Sequence, residues 1–531
     1  MLAASATRRL ATVAVALLAA LGLVSALRGR QPAQALGRAG AHDAHGARDT
    51  RDARGAHGAH GTRDARAAAA TSGGVEVVIT SANLSKALTR MPDIPFSGPA
   101  HATDVISIDE RARGQSIKGF GGAMTDTSAW LIYDMLSPSA RTSLMNALFG
   151  TNGIHLSFVR VPMGASDFTS GRRPWSYDDL PAGQSDPSLA HFSIARDTAF
   201  TIPTLQQALS INPGLFVLAN PWSPPGWMKT NDEMSNVGNA GSLRPADAGP
   251  LAAYFVKFLE AYAAAGIHVS AVTPQNEPGQ SSNYPGMNMS EPQEAAFVHE
   301  ELAPALNAAH LDTKIYGYDW GWPSNQIRLA YTLAKSRVAG DLAGISTHCY
   351  RGDPTTMSVL HAEAPRLDEI VAECSPGLMP APTAEVAIGS IRNWASAVAL
   401  WNLALDPRGG PVQAPNRACA HCTGIVTIDE STHRVTFTRD YYQLGQLSKF
   451  VLPGAVRLGS NHFVSYVRPT QHRSMATSGL DDVAFANPDG SRVLVAYNTS
   501  TASIAFAVKD GGKSFAYTLP AGATGTFIWR G

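Results

Sequence analysis

The stretch Val269-Ser-Ala-Val-Thr-Pro-Gln-Asn-Glu-Pro278 runs from apolar residues into an amide, an acid and a proline. An apolar run that stops at a proline is typical of a buried strand opening into a loop. Glu369-Ile-Val-Ala-Glu-Cys-Ser-Pro376 has the same form. Glu277 and Glu373 therefore occupy positions where a core disfavours charge, because burying an unpaired carboxylate is expensive. Two acids at the ends of different strands suggest a carboxylate-pair hydrolase.

Both acids belong to a longer series in which strand-like and helix-like stretches alternate from residue 115 to about residue 405. Eight stretches have strand character: 116–124, 155–163, 214–222, 269–278, 314–321, 343–350, 369–375 and 397–405. Helical patterns lie between them, including 139–148, 197–209, 250–265 and 292–309. Eight such strands predict an α/β fold, a (β/α)8 TIM barrel whose strand ends share one functional face. A doubly wound open sheet is the alternative, but 119–122 lacks the spacing of a phosphate loop.

The flanks of the barrel carry short alternating strands. Two precede it, at 75–80 and 102–108, and six follow residue 454, at 463–468, 483–486, 491–498, 503–508, 514–519 and 525–529. Turn residues separate the later strands, which predicts an antiparallel β-sandwich side domain that the pre-barrel strands join. A separate carbohydrate-binding module is the alternative. No linker follows Lys449-Phe450, so we favour a domain packed on the barrel.

The N-terminus predicts export. Arg8 and Arg9 precede an apolar stretch at 10–24, and small residues suit cleavage after Ala26. An uncleaved anchor is the alternative, although the stretch is short for a membrane span. The expected organisation is a signal peptide (1–26), a disordered low-complexity spacer (27–72), N-terminal strands (73–112), the catalytic barrel (113–450) and the C-terminal β domain (451–531). The product would be secreted or extracytoplasmic, without stable membrane insertion after signal removal.

Charge argues against a nucleic-acid partner. Residues 1–70 contain ten Arg and four Asp but no Lys or Glu, so the remainder of this formally neutral chain carries a net charge of −6. A mildly acidic globular part suits a neutral substrate better than a phosphate backbone. The partner expected is a carbohydrate or glycolipid substrate. The sequence has no Gly-rich phosphate motif that would indicate nucleotide binding, and no cofactor is predicted.

Residues near Glu277 and Glu373 suggest a different role for each acid. Hydrolysis with retention needs a nucleophilic carboxylate and a protonated acid roughly 5–5.5 Å apart. Glu373 would be the nucleophile, kept ionised by Arg160 and by a hydrogen bond from Tyr350. Asn276 beside Glu277 could hold a sugar hydroxyl. Tryptophans near strand ends could stack on a sugar ring, although any single tryptophan is more often a core residue: Trp222, Trp320, Trp322 and Trp401.

The four cysteines suit an exported protein with few bridges. Cys419 and Cys422 form a lone CxxC, which favours a local disulfide over a zinc site. Cys349 and Cys374 end apolar runs, so both are predicted to be buried free thiols.

The sequence resembles glycoside hydrolase family 30, and most of all its glucosylceramidase branch. The resemblance covers the chain from about residue 105 to the C-terminus. The stretches that carry it are Lys118-Gly-Phe-Gly-Gly-Ala-Met-Thr-Asp126, Val159-Arg-Val-Pro-Met163, Asn220-Pro-Trp-Ser-Pro-Pro-Gly-Trp-Met-Lys-Thr-Asn231, Pro274-Gln-Asn-Glu-Pro278, Trp401-Asn-Leu-Ala-Leu-Asp-Pro-Arg-Gly-Gly-Pro411 and Tyr442-Gln-Leu-Gly-Gln-Leu-Ser-Lys-Phe450. The resemblance implies a barrel with a β domain and a retaining mechanism without a metal. It implies Glu277 as acid/base and Glu373 as nucleophile. The implied glycone-binding and flanking residues are Asp126, Trp222, Asn276, Trp401, Asn416, His348 and Tyr350.

Two departures from the family pattern lie near the nucleophile. Cys374 and Ser375 follow Glu373 where the glucosylceramidase pattern has alanine and then cysteine, and the segment 417–422 is unlike the usual loop. The glycone site is therefore a safer inference than the aglycone. The expected function is hydrolysis of β-glucosidic bonds by a glucosylceramidase-like enzyme. The alternatives are an endo-β-1,6-glucanase and, from another class, a non-catalytic sugar- or glycolipid-binding protein.

Overall fold

The computed structural model describes residues 73–97, 102–171, 173–235, 241–280, 284–322, 327–413, 419, 421–461 and 479–531. The predicted signal peptide, the spacer, the strand at 463–468 and Asn416 lie outside these residues. The described part contains no helix of the length and apolarity needed to cross a membrane.

Three strands precede the barrel: β1 (Gly74–Thr80), β2 (Thr89–Pro95) and β3 (Asp104–Ser116). The eight barrel strands follow: β4 (Gly119–Ala123), β5 (Phe158–Pro162), β6 (Phe216–Asn220), β7 (Ala271–Val272), β8 (Lys314–Trp322), β9 (Gly344–Gly352), β10 (Asp368–Glu373) and β11 (Ala395–Leu400). They pair in parallel and close between β11 and β4. Each of the eight predicted strands overlaps one of them, so the predicted TIM barrel is confirmed.

Glycines shape the first barrel strand for packing. A Cβ atom at Gly121 would lie 1.6 Å from the carbonyl oxygen of Phe158 on the neighbouring strand. Only glycine fits so close an approach of two backbones. The cluster at 119–122 therefore brings β4 against β5 and needs no phosphate ligand to explain it.

Helices connect the strands on the outside: α1 (Asp126–Tyr133), α2 (Pro138–Phe149), α3 (Thr201–Ile211), α4 (Ala248–Ala264), α5 (Glu291–Ala296), α6 (Ala303–Ala308), α7 (Ile327–Lys335), α8 (Thr355–Glu363), α9 (Thr383–Arg392) and α10 (Arg439–Ser448). The predicted helix 292–309 covers α5, α6 and a π-helical turn, Phe297–Leu302, between them. The predicted helices 139–148, 197–209 and 250–265 overlap α2, α3 and α4.

Beyond β11 the chain forms a three-stranded sheet of β12 (Ala404–Leu405), β13 (Val426–Ile428) and β14 (Val435–Phe437). The sequence did not predict it, because strands of two or three residues are too short to show an alternating pattern. The segment between β12 and β13 holds Cys419 and Cys422, so this sheet anchors a loop beside the barrel.

The side domain is a nine-stranded sheet. After the barrel come β15 (Val456–Ser460), β16 (Leu480–Ala486), β17 (Ser491–Asn498), β18 (Ile504–Asp510), β19 (Lys513–Leu519) and β20 (Thr524–Arg530). The order is β19-β18-β3-β15-β16-β17-β20-β1-β2, and within the described part of this sheet only the β18–β3 pair is parallel. Phe515 of β19 lies 5.5 Å from Trp529 of β20, ring centre to ring centre. Since these strands are six places apart in the order, the sheet folds over itself into a sandwich.

The sandwich packs on the barrel through α9 and α10. Arg392 at the end of α9 donates to Ser460 Oγ at 2.9 Å and to the carbonyl of Asp482 at 2.8 Å. Gln446 of α10 donates to Thr80 at 2.7 Å and accepts from Thr526 at 2.6 Å. The pre-barrel strands and the C-terminal strands thus form one body that lies against the barrel.

Candidate active site

Glu277 and Glu373 meet at the end of the barrel where the carboxyl ends of the strands lie. Glu373 is the last residue of β10, and Glu277 lies in the loop after β7. A carboxylate oxygen of each acid and a ring nitrogen of His348 lie within 4.8 Å of one another. The two side chains are 16% and 7% exposed, so each is close to solvent without being surrounded by it.

Glu373 has a partner on each oxygen. Arg160 Nη1 of β5 forms an ion pair with Oε2, and Tyr350 Oη of β9 donates to Oε1 at 2.8 Å. Burial raises the pKa of Tyr350 well above its usual value, and the charge of Glu373 raises it further. Tyr350 is therefore a neutral donor. This arrangement stabilises the charge on Glu373 and fixes the direction of its carboxylate.

Arg160 also organises Asn276. The guanidinium is fully buried, and Nη2 donates to Asn276 Oδ1 at 2.7 Å and to Asp319 Oδ2 at 2.9 Å. Because its oxygen is occupied by Arg160, the Asn276 amide offers its Nδ2 group as the donor for a substrate hydroxyl.

Asp319 is a site residue that the sequence analysis missed. A bulge in β8 between Tyr318 and Trp320, with φ of 77° at Tyr318 and 48° at Asp319, directs this carboxylate into the barrel. Burial alone would raise the pKa of Asp319, but Arg160 and His348 hold it well below its usual range. The signal was present in the sequence: one acid stands in the otherwise apolar strand Lys-Ile-Tyr-Gly-Tyr-Asp-Trp-Gly-Trp (314–322).

His348 connects Asp319 with Glu277. Its Nε2 lies 3.2 Å from Asp319 Oδ1, and its Nδ1 lies 3.1 Å from Glu277 Oε1. Burial would lower the pKa of His348, but the charges of Glu373 and Asp319 raise it to about 9. At neutral pH the ring therefore carries both protons and donates to an oxygen of each acid. Three charged side chains, Arg160, Asp319 and His348, thus form a continuous network under the acid pair.

The acids border a cavity of about 180 Å³ with an aromatic wall. Trp222 after β6 and Trp401 after β11 line it and stack with ring centres 4.9 Å apart and a 21° interplanar angle. Trp320 lines the cavity as well. Trp322 does not: it is 2% exposed, and its Nε1 donates to Thr347 at 3.0 Å, so it is a core residue.

Asp167 lines the cavity where the sequence analysis expected Asp126. The Asp126 carboxylate accepts from Ser170 N and lies 3.6 Å from Arg196 Nε, outside the cavity lining. Asp167 is 8% exposed, and its Oδ1 accepts no hydrogen bond from the residues that the structure describes. Burial raises the pKa of Asp167 well above its usual value, and Glu373 and Glu277 raise it further. A carboxyl group in this state can both donate to and accept from a sugar hydroxyl.

The outer part of the cavity is mostly polar. Gln280, Tyr284 and Arg351 line it, together with the side chain of Leu378, which is 46% exposed. Gln280 and Tyr284 lie in the loop after β7 and Leu378 lies in the loop after β10, while Arg351 belongs to β9 itself.

Both cysteine pairs are bridged in the structure. Cys419 and Cys422 form a disulfide that lines the cavity, and the Ser375 hydroxyl contacts Cys422 Sγ at 2.7 Å. Cys349 and Cys374 also form a disulfide, with Cα atoms 5.3 Å apart, so the prediction of free thiols there is wrong. These residues end neighbouring strands, β9 and β10, and the sequence gives no sign of that adjacency.

Known proteins share both parts of this architecture. Residues 117–451 match the description "Glycosyl hydrolase family 30 TIM-barrel domain", and residues 454–527 match "Glycosyl hydrolase family 30 beta sandwich domain". The chain belongs to glycoside hydrolase family 30. It is therefore a glycoside hydrolase acting on O-glycosyl bonds, and the family resemblance seen in the sequence is confirmed.

The relatives of this chain include endo-1,6-beta-glucanases and glucosylceramidases. The endo-1,6-beta-D-glucanase of Neurospora crassa is 35% identical over 410 residues, which covers 75% of this chain and 82% of that protein. The lysosomal acid glucosylceramidase of Mus musculus is 30% identical over 467 residues, covering 80% and 83%. Among solved structures, the endo-beta1,6-glucanase BT3312 has a TM-score of 0.75 at 28% identity, covering 86% of this chain and 100% of that one.

Proposed function

We propose that this family 30 enzyme is an exported, retaining β-glycosidase that cleaves β-1,6-linked glucans. The observation that carries the proposal of retention is the separation of the two acids. Carboxylate oxygens of Glu277 and Glu373 lie within 4.8 Å of each other. Retaining glycosidases have carboxyl groups about 5–5.5 Å apart, whereas inverting enzymes need about 6.5–9.5 Å to admit a water molecule.

In the first step Glu373 attacks the anomeric carbon while Glu277 gives its proton to the leaving oxygen. The ion pair with Arg160 and the hydrogen bond from Tyr350 fix the direction of the Glu373 carboxylate, and His348 orients Glu277. A covalent glycosyl-enzyme forms and the leaving sugar departs with the proton. In the second step Glu277 takes a proton from water, whose oxygen attacks the same carbon and releases Glu373.

The cavity supports a single sugar ring as the glycone. Its volume of about 180 Å³ is close to the size of one hexose, with Trp222 and Trp401 as the wall. Asp167 and Asn276 offer polar groups to the hydroxyls. Such a mixture of a large apolar wall and a few placed polar groups is typical of sites that bind small ligands.

The outer part of the cavity favours a sugar as the leaving group. Gln280, Tyr284 and Arg351 present polar groups there, and Leu378 is the one aliphatic side chain among the described lining residues. A ceramide would need an apolar surface to offset the loss of water around its chains. The relatives with the higher identities are also endo-1,6-beta-glucanases, at 35%, 33% and 32%.

Glucosylceramide hydrolysis is the second candidate, because the mouse glucosylceramidase is 30% identical over most of both chains. We expect the enzyme to release reducing sugar from a linear β-1,6-glucan. It should release little from glucosylceramide micelles or from a β-1,3-glucan. Hydrolysis of glucosylceramide alone would replace the first candidate by the second.

Retention has its own experiment. Proton NMR of an early reaction mixture should show the β anomer of the product before mutarotation sets in. First appearance of the α anomer would exclude the retaining mechanism, whatever the substrate.

Export is part of the proposal and rests on the sequence of residues 1–26. The mature protein recovered from the medium or from outside the cytoplasmic membrane should begin at Leu27. Recovery of protein that begins at Met1 and sediments with membranes would favour the uncleaved anchor.

A further inference from the structure

The connection between β5 and α3, residues 163–200, contains a buried acid, Asp178, whose carboxylate oxygens have no hydrogen-bond partner among the described residues. Two other acids of this connection have hydrogen-bond donors. Asp179 accepts from Ser176, and Asp197 accepts from the hydroxyls of Tyr177 and Tyr262 at 2.6 and 2.7 Å. Asp178 is 1% exposed, and neither of its carboxylate oxygens accepts a hydrogen bond from a residue that the structure describes. A buried carboxylate in that state calls for a proton or a cation.

Two further ligand groups face Asp178. An oxygen of Asp178, an oxygen of Asp186 and a ring nitrogen of His191 all lie within 4.8 Å of one another. Asp186 Oδ2 is 2.8 Å from His191 Nδ1, and Asp186 is 6% exposed. Burial opposes ionisation of Asp186, but hydrogen bonds from the His191 backbone and the Ser188 hydroxyl lower its pKa. Burial and the charge of Asp186 raise the pKa of Asp178 to about 6.

We propose that Asp178, Asp186 and His191 bind a divalent transition-metal ion of the zinc type. The donor set decides the class of ion. Imidazole nitrogen with carboxylate oxygen suits Zn²⁺, whereas Ca²⁺ and Mg²⁺ take oxygen ligands. To bind the ion, His191 presents the lone pair of its ligating ring nitrogen, and the positive charge removes the repulsion between the two carboxylates.

The ion would brace a loop that serves the active site without taking part in the reaction. Trp227 Nε1 donates to the carbonyl oxygen of Asp178 at 3.0 Å. Trp227 lies in the segment after β6 that begins with Trp222 of the cavity wall, and Asp167 of the cavity lies in the same connection as Asp178. The metal site thus holds in place the contact between the two segments that carry the cavity residues Trp222 and Asp167.

The test is zinc binding by the full-length, untagged protein after EDTA treatment and dialysis. Isothermal titration with ZnCl₂ at pH 7.5 is compared for wild type, Asp178→Asn, His191→Asn and a control, His268→Asn. His268 is 66% exposed and lies 3.8 Å from Asp312, so it matches His191 except that no buried carboxylate faces it. Histidines 42, 45, 57 and 60 are present in every variant, so their contribution cancels.

Wild type and the His268→Asn control should bind one more equivalent of zinc than Asp178→Asn and His191→Asn. Zinc should also raise Tm in the first two proteins by several degrees more than in the last two. Equal stoichiometry and equal Tm shifts in all four proteins would overturn the proposal. The His191 side chain is 68% exposed, so His191→Asn should fold and decides the matter even if Asp178→Asn does not.

Zinc bound at the other histidine-containing cluster, Glu277 with His348 and Glu373, would give a different pattern. It would inhibit hydrolysis equally in wild type and in His191→Asn. A zinc equivalent that survives His191→Asn and disappears in Glu277→Gln would assign the metal to that cluster and overturn the proposal.

Discussion

Glu373 and Glu277 differ in their surroundings, and this difference predicts distinct defects. Glu373 has Arg160 and Tyr350 on its oxygens, as a nucleophile requires, while Glu277 faces the cavity with only His348 beside it in the described structure. Glu373→Gln should lower kcat by at least three orders of magnitude on every substrate, because no nucleophile remains. Glu277→Gln should lower kcat for glucan to the same extent. It should lower kcat much less for an aryl glucoside, because that leaving group needs no proton. Steady-state kinetics on both substrates measures this.

Glu369→Gln is the matched control. Glu369 lies on the same strand as Glu373, and burial raises its pKa to about 9, so glutamine resembles its neutral state. Activity within about twofold of wild type is expected. Near-normal hydrolysis of the aryl glucoside by Glu373→Gln would refute the assignment of the nucleophile.

Asp167 and Asp126 form a second informative pair. Asp167→Ala removes a polar group from the cavity wall, so KM for glucan should rise about tenfold, the equivalent of one hydrogen bond. Asp126→Ala removes the acceptor of Ser170 N outside the cavity, so Tm should fall while KM changes little. Kinetics and thermal unfolding of both variants check this, and the reverse result would restore Asp126 to the site.

The buried charge of His348 makes stability depend on pH. Its pKa is raised from 6.5 to about 9 in the folded protein. The protonated ring therefore contributes stability that is fully present below about pH 6.5 and is lost as the pH rises through 9. The contribution is on the order of 3 kcal/mol for a group that is completely buried. Urea unfolding at pH 6.5 and pH 9 should show that the free energy of unfolding falls less between the two pH values in His348→Gln than in wild type. An equal fall in both proteins would contradict the role of His348.

Among elements, the strands that the sequence revealed show either an apolar run, as β6 and β11 do, or an alternating pattern, as β1 does. β2 escaped detection because it contains two prolines and is mostly exposed, which suits the edge of the sheet where it lies. β15 was missed as well, being short and half-buried. Asp319 was missed for a related reason: a bulge re-aims its side chain, and no periodic pattern predicts a bulge.

The end of α9 fastens the barrel to the sandwich. Arg392 is the only partner of Asp482 Oδ2 besides Ser460 among the described contacts, and Asp482 is completely buried. Arg392→Met should lower the free energy of unfolding by about 3 kcal/mol, because a buried carboxylate loses its counter-charge. Denaturant unfolding measures this. Asp482→Asn added to Arg392→Met should recover part of the loss; a double variant no more stable than the single one would contradict the pairing.

At the scale of the whole molecule, barrel and sandwich should not fold apart. A chain of residues 73–450 lacks β15–β20, so β1 and β3 lose most of their partners and α9 and α10 lose their cover. We expect it to be insoluble or to unfold without a cooperative transition. Residues 73–531 should instead keep kcat/KM within about twofold of the full chain, because every described cavity residue follows residue 72. Circular dichroism melts and hydrolysis rates decide both cases.

The pairing of β1 with β20 joins the first strand of the described structure to the last. The chain therefore makes β1 and its neighbour β2 long before β20, the partner on the other side of β1. Val75, Val77 and Ile79 are all buried in the finished sandwich. A chain that stops before residue 524 leaves both β1 and β17 with an unpaired edge, which is a template for pairing with another chain.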